Sequence, residues 1–142
     1  MTAKDSRVFD RIDHIAIAVE SLDDTIALYE KTFGLPVSHR ELVADFNVEI
    51  ATIEVGETAI EFLEGKSDDS PIRKFIQKRG PGIHHIAYVV EDIEQALAKL
   101  RAQGVQLIDE KPRRGKENSL VAFIHPASTA KVLYELVQLA DL

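Results

Sequence analysis

Asp13-His14-Ile15-Ala16-Ile17-Ala18-Val19-Glu20 and His84-His85-Ile86-Ala87-Tyr88-Val89-Val90-Glu91 are two versions of one pattern within a single chain. Both alternate in side-chain character and are rich in β-branched residues, so both read as strands. Apolar residues then fall 8, 12 and 15 positions after each quoted histidine: Leu22, Ile26 and Tyr29 after His14, and Ile93, Leu97 and Leu100 after His85. That i, i+4, i+7 spacing is one buried face of a helix. Ser21 and Asp92 stand where the helices should be N-capped, and Gly34 and Gly104 where they should stop. A strand–helix unit used twice is the main organising feature of the chain.

Working outward, each helix is followed by strand-like segments. In the first half these lie near 36–43, 46–55 and 58–63, with Gly56-Glu57 as a tight turn. In the second half they lie near 105–109, 118–124 and 131–138, with a turn at Pro126-Ala127-Ser128-Thr129. Each half is therefore a βαβββ module: module one at about 11–63, module two at about 83–138. The linker 64–82 carries Ser70-Pro71, an N-cap and first-turn pair that predicts a short helix to about Arg79. Neither half is long enough to bury a good core alone, so the expectation is an α+β chain forming one domain over 1–142.

Composition narrows the function. The chain has 142 residues, 45% hydrophobic and 29% charged, which is ordinary for a globular domain. The net charge of −7 argues against nucleic acid as a partner. There are no cysteines, which excludes disulfides, thiolate ligands and a cysteine nucleophile. Residues 1–10 have no apolar segment of the signal-peptide kind, and no apolar run approaches the ~18 residues of a membrane span. The expectations are a cytoplasmic location and no membrane.

The repeat places His14 and His85 at one equivalent position. It also places a glutamate in the last strand of each half: Glu61 in Ala59-Ile60-Glu61-Phe62-Leu63 and Glu135 in Val132-Leu133-Tyr134-Glu135-Leu136-Val137. A carboxylate among apolar strand residues is costly unless paired, and a cation offsets that cost. Strand parity puts His14 with Ile12, Ala16 and Ala18, and His85 with Ile83, Ala87 and Val89. The small alanines beside the histidines leave room for a cavity. A lone histidine on such a strand is usually a satisfied core residue. Two histidines and two glutamates at equivalent places also fit an N/O site for Co²⁺, Mn²⁺, Ni²⁺ or Zn²⁺, and the pattern by itself leaves both readings open.

With these residues in view, the chain resembles the vicinal oxygen chelate superfamily, and within it the methylmalonyl-CoA epimerase family. The resemblance runs from Ile12 to Gln138 and is carried by Ile12-Asp13-His14-Ile15-Ala16, Asp69-Ser70-Pro71-Ile72 with Phe75, Gly82-Ile83-His84-His85-Ile86-Ala87, Phe123-Ile124-His125-Pro126 and Val132-Leu133-Tyr134-Glu135-Leu136. It implies paired βαβββ modules forming a cup-shaped mixed sheet around one divalent metal ion, with His14, Glu61, His85 and Glu135 as ligands. Some family members have Gln at the Glu61 position. It also implies an acyl-CoA substrate, inversion of its α carbon, and a homodimer. Glu49 in Val48-Glu49 is then one proton carrier and Glu135 the other. Strand parity puts Glu49 with Asn47, Ala51 and Ile53, read here as the pocket side.

The chain departs from the family at two loops, Arg114-Gly115-Lys116-Glu117-Asn118-Ser119 and Ala130-Lys131, where relatives carry glycines. A basic cluster, Lys111, Arg113, Arg114 and Lys116, is a candidate for holding CoA phosphates, with Arg73, Lys74, Lys78 and Arg79 as the second choice. His84 and His125 read as structural, and His39 has no assigned role. Three alternatives share the fold: a glyoxalase-type lyase or isomerase acting on a glutathione hemithioacetal, a small-molecule binding module, and an iron dioxygenase. The complete four-residue donor set argues against the last two.

Overall fold

The computed structural model describes residues 7–140, grouped in two compact units. Residues 14–84 form the first; residues 7–13 with 85–140 form the second. The N-terminal stretch read above for a signal segment, residues 1–10, lies in part outside the described residues. Among the described residues, no helix is long and apolar enough to cross a membrane.

The first unit holds β1 (Arg11–Ala18) for most of its length, then α1 (Leu22–Phe33), β2 (His39–Val43), β3 (Val48–Val55), β4 (Thr58–Gly65) and α2 (Pro71–Arg79). Its strands run in the order β2-β3-β4-β1, with β1 parallel to β4 and the other neighbours antiparallel. α1 starts where expected: the Asp24 N–H donates to Ser21 Oγ at 3.1 Å. It stops at Gly34, whose φ of 67° is the left-handed conformation that glycine adopts without steric cost. Its Leu22 and Ile26 pack on Ala51, Ile53 and Phe62, one face of the strands.

The opposite face is covered by α2. Ser70 Oγ accepts from the Ile72 N–H, and Ile72, Phe75 and Ile76 pack on Ala16, Ala18, Val48 and Leu63. The linker is therefore structurally part of the first unit. Gly65 makes the approach possible, because a Cβ there would lie 2.8 Å from the Arg73 backbone nitrogen.

The second unit holds β5 (Gly82–Val89) for most of its length, α3 (Ile93–Ala102), β6 (Arg113–Arg114), β7 (Leu120–Ile124) and β8 (Leu133–Gln138), in the order β5-β8-β7-β6. β5 and β8 are parallel, as β1 and β4 are. Asp92 caps α3 by accepting from the Gln95 N–H, and the Ile93 N–H donates to Gln138 Oε1. Ile93, Ala96 and Leu97 bury themselves with Ala122, Ile124 and Leu136. Phe9 stacks on Tyr88 at 4.1 Å, which ties the preceding segment to this unit.

The expected strand at 105–109 is corrected to an irregular segment with one bridge, Leu107 to Ile124. Asp109 explains the loss of pairing. Its carboxylate accepts from the Phe123 N–H at 2.8 Å, so a side chain occupies the place of a backbone partner. Pro112 then removes a donor. Pairing resumes only at the two residues of β6. The expected strand at 36–43 likewise begins later, at His39.

In both loops, residues other than glycine hold the backbone that glycine prefers. Glu117, Asn118, Ala130 and Lys131 have φ of 55°, 61°, 56° and 72°. The departure from the family is thus one of side chain, made against the steric cost of left-handed backbone.

Candidate metal centre

Each unit builds the same pair. In the first, β1 lies parallel to β4 with Ala16 beside Glu61, so His14 sits two residues back on Glu61's face. In the second, Ala87 lies beside Glu135, and His85 sits two residues back on its face. His14 Nδ1 is 3.6 Å from Glu61 Oε2, and His85 Nε2 is 3.4 Å from Glu135 Oε1. All four residues are buried.

These separations exceed a good hydrogen bond. The His85–Glu135 separation falls within, and the His14–Glu61 separation just beyond, the roughly 3–3.5 Å between two donors that share one ion at ligand distances of about 2.1 Å. An imidazole with a carboxylate, as each unit presents, is a donor pair that suits a borderline-to-hard divalent cation. Small neighbours (Ala16, Ala18 and Ala59 in the first unit, Ala87 in the second) keep bulk away from the donors. The residues fit such an ion.

Glu49 is not brought to this face. The β3–β4 register sets Thr52 beside Glu61 and Glu49 beside Glu64, so Glu49 stands on the opposite side of the strands, the side packed by α1. There it belongs to a charge chain. Arg40 Nε donates to Glu49 Oε2 at 2.7 Å and Arg40 also meets Asp23 at 2.9 Å. Lys66 bridges Glu49 and Glu64, and Glu64 Oε1 accepts from the Leu22 N–H at the start of α1. The Arg40 hydrogen bond holds the Glu49 carboxyl below its ordinary value. Parity grouped Glu49 rightly with Ala51 and Ile53, and those two residues pack against α1.

The same register argument separates two arginines. Arg113, Val121 and Val137 form a row on the face of Phe123 and Glu135, whereas Arg114, Leu120 and Gln138 lie on the other face. The Arg113 guanidinium sits 5.5 Å over the Phe123 ring, and that ring meets His85 edge-on at 5.6 Å. Asp109 pairs with Arg113 at 3.6 Å. Arg114 donates to Asn118. On the linker helix, Arg73 pairs with Asp68 and Arg79 lies over Phe75.

The remaining histidines have local partners. His84 packs edge-on against Phe75, His125 Nδ1 accepts from the Ala127 N–H, and His39 lies 3.3 Å from Glu41. One feature escaped the sequence reading. Thr52, beside Glu61, is buried, and among the described residues its hydroxyl is the buried side-chain polar atom without a hydrogen-bond partner.

Comparison with known proteins agrees with the family resemblance read in the sequence. The model of the Glyoxalase/Bleomycin resistance protein/Dioxygenase superfamily matches residues 13–123. The ethylmalonyl-CoA/methylmalonyl-CoA epimerase of Cereibacter sphaeroides is 36% identical, over 90% of this chain and 97% of that one. The mitochondrial methylmalonyl-CoA epimerase of Dictyostelium discoideum is 37% identical, over 89% of this chain and 76% of that one. The crystal structure of methylmalonyl-CoA epimerase from Mycobacterium tuberculosis superposes with a TM-score of 0.89 at 37% identity, covering 99% of this chain and 94% of that one. The chain belongs to the Glyoxalase/Bleomycin resistance protein/Dioxygenase superfamily and, within it, to the methylmalonyl-CoA epimerase family.

Proposed function

We propose that this protein is an epimerase that inverts the α carbon of methylmalonyl-CoA, with one divalent ion per chain held by His14, Glu61, His85 and Glu135. The observation that supports it best is the duplicated His–Glu pair, built at the same register in both units. An ion bound there supplies a Lewis acid for the negative charge that develops on the thioester oxygen. Co²⁺, Mn²⁺, Ni²⁺ and Zn²⁺ all suit the donors.

Inversion removes a proton from one side of the α carbon and returns one to the other, so it needs two proton carriers. Glu135 is one in this reading. Glu49 is the other, as the resemblance implies, and to act it gives up its pairing with Arg40. Arg113 is the preferred member of the basic cluster for an anionic group of the CoA ester, since it shares a face with Glu135. A cytoplasmic location and a homodimer complete the proposal.

Proton NMR of methylmalonyl-CoA in deuterated water tests it. The metal-loaded protein should exchange the α-hydrogen and interconvert the two epimers, and chelator should stop both. Turnover of a glutathione hemithioacetal with no exchange would favour the glyoxalase alternative. Binding without exchange would favour a binding module.

A further inference from the structure

Thr52 sits in the middle of a row that crosses the first unit: Ala16 on β1, Glu61 on β4, Thr52 on β3 and His39 on β2. It is 6% exposed, as deep as His14 and Glu61 at 7% each. The rest of its face is largely apolar, with Ala16, Ala18, Val48 and Leu63 packed under α2. A hydroxyl in such surroundings should be paired, because burying it unpaired is costly. Yet Thr52 Oγ1 has no hydrogen-bond partner among the described residues. Its row neighbours are directed elsewhere: Glu61 toward His14, and His39 toward Glu41. Threonine also carries a donor at a position where valine would fill the same space.

We propose that Thr52 is a substrate-binding residue, donating a hydrogen bond from Oγ1 to an oxygen of the bound acyl group beside Glu61. This rests on the acyl-CoA reading above and adds a selectivity element to it. The acceptor is a carboxylate or thioester oxygen of the ester, and two probes distinguish them. Malonyl-CoA carries both oxygens; propionyl-CoA carries only the thioester.

The test compares wild type, Thr52→Val and Thr52→Ser. Removing an orphaned hydroxyl should raise the melting temperature of the metal-free protein, because valine has no buried donor to desolvate. The same change should weaken malonyl-CoA binding to the metal-loaded protein about tenfold, with Thr52→Ser restoring it. If the carboxylate is the acceptor, propionyl-CoA binding stays unchanged; if the thioester is, it weakens equally. Metal affinity, titrated separately, should be the same in all three proteins. Unchanged binding of both esters by Thr52→Val overturns the proposal, as does a loss confined to metal affinity, which would mean that Thr52 acts through Glu61. Wild-type protein that neither binds these esters nor exchanges the α-hydrogen of methylmalonyl-CoA would instead overturn the epimerase reading itself.

Discussion

The two units carry one motif in different surroundings. Both pair a histidine on the first strand with a glutamate on the last, with an alanine beside the glutamate. In the first unit the face bearing the pair is covered by α2, through Ile72, Phe75 and Ile76. In the second, that face carries Phe123, with Arg113 over its ring and Asp109 beside the arginine. The edge strands differ as well, five residues in β2 against two in β6. Duplication explains the symmetric donors.

The largest expected effects test the symmetry. His14→Ala and His85→Ala should each abolish stable metal binding and lower epimerisation by roughly 10³-fold or more, through loss of the Lewis acid. Metal analysis and exchange kinetics on both variants check this. Full metal content in one variant and none in the other would break the equivalence of the pairs.

The next effect separates ligand from base. Glu61→Gln should retain metal and most of the inversion rate, since an amide oxygen can still coordinate. Glu49→Gln should also retain metal, yet lose about 10²–10⁴-fold in inversion rate. One epimer should still exchange its α-hydrogen with solvent through Glu135 without inverting. A Glu49→Gln variant that epimerises at the wild-type rate would overturn the assignment.

Smaller effects concern stability. Lys131→Gly should stabilise the protein by about 1 kcal/mol, read by denaturant titration, because it relieves a side chain from left-handed backbone. The Glu49 charge chain contributes less. Glu49 and Arg40 are partly exposed, and such pairs are worth about 1 kcal/mol or less. The folded carboxyl is held below its ordinary 4.5, so the contribution is present above that value and lost as pH falls through the depressed one. Glu49→Gln should therefore be slightly less stable than wild type at neutral pH, and the gap should close in acid.

Much of this was legible in the sequence. Both repeated helices start at the residues read as caps, Ser21 and Asp92, and the linker helix begins at Ser70-Pro71. The strand at 105–109 was not legible, because Asp109 takes a ladder position that the hydrophobic pattern assigns to backbone. The side of Glu49 was not legible for a different reason. Both faces of the first unit's strands are covered by helices, so Ala51 and Ile53 are as apolar a setting as Val48 and Ile50. Alternation sorts residues into two sets and does not say which set meets the site.

By itself, then, the sequence determined the repeat, the elements with their caps, and the types and spacing of the four donors. These depend on contacts within a turn of helix or along one strand. Only the tertiary structure decided that Glu61 shares its face with Thr52 and not with Glu49, that the linker helix closes the first unit, and that Arg113 rather than Arg114 faces Glu135. Those are matters of register between strands distant in the chain. A shift of one residue exchanges the faces while leaving every local preference satisfied.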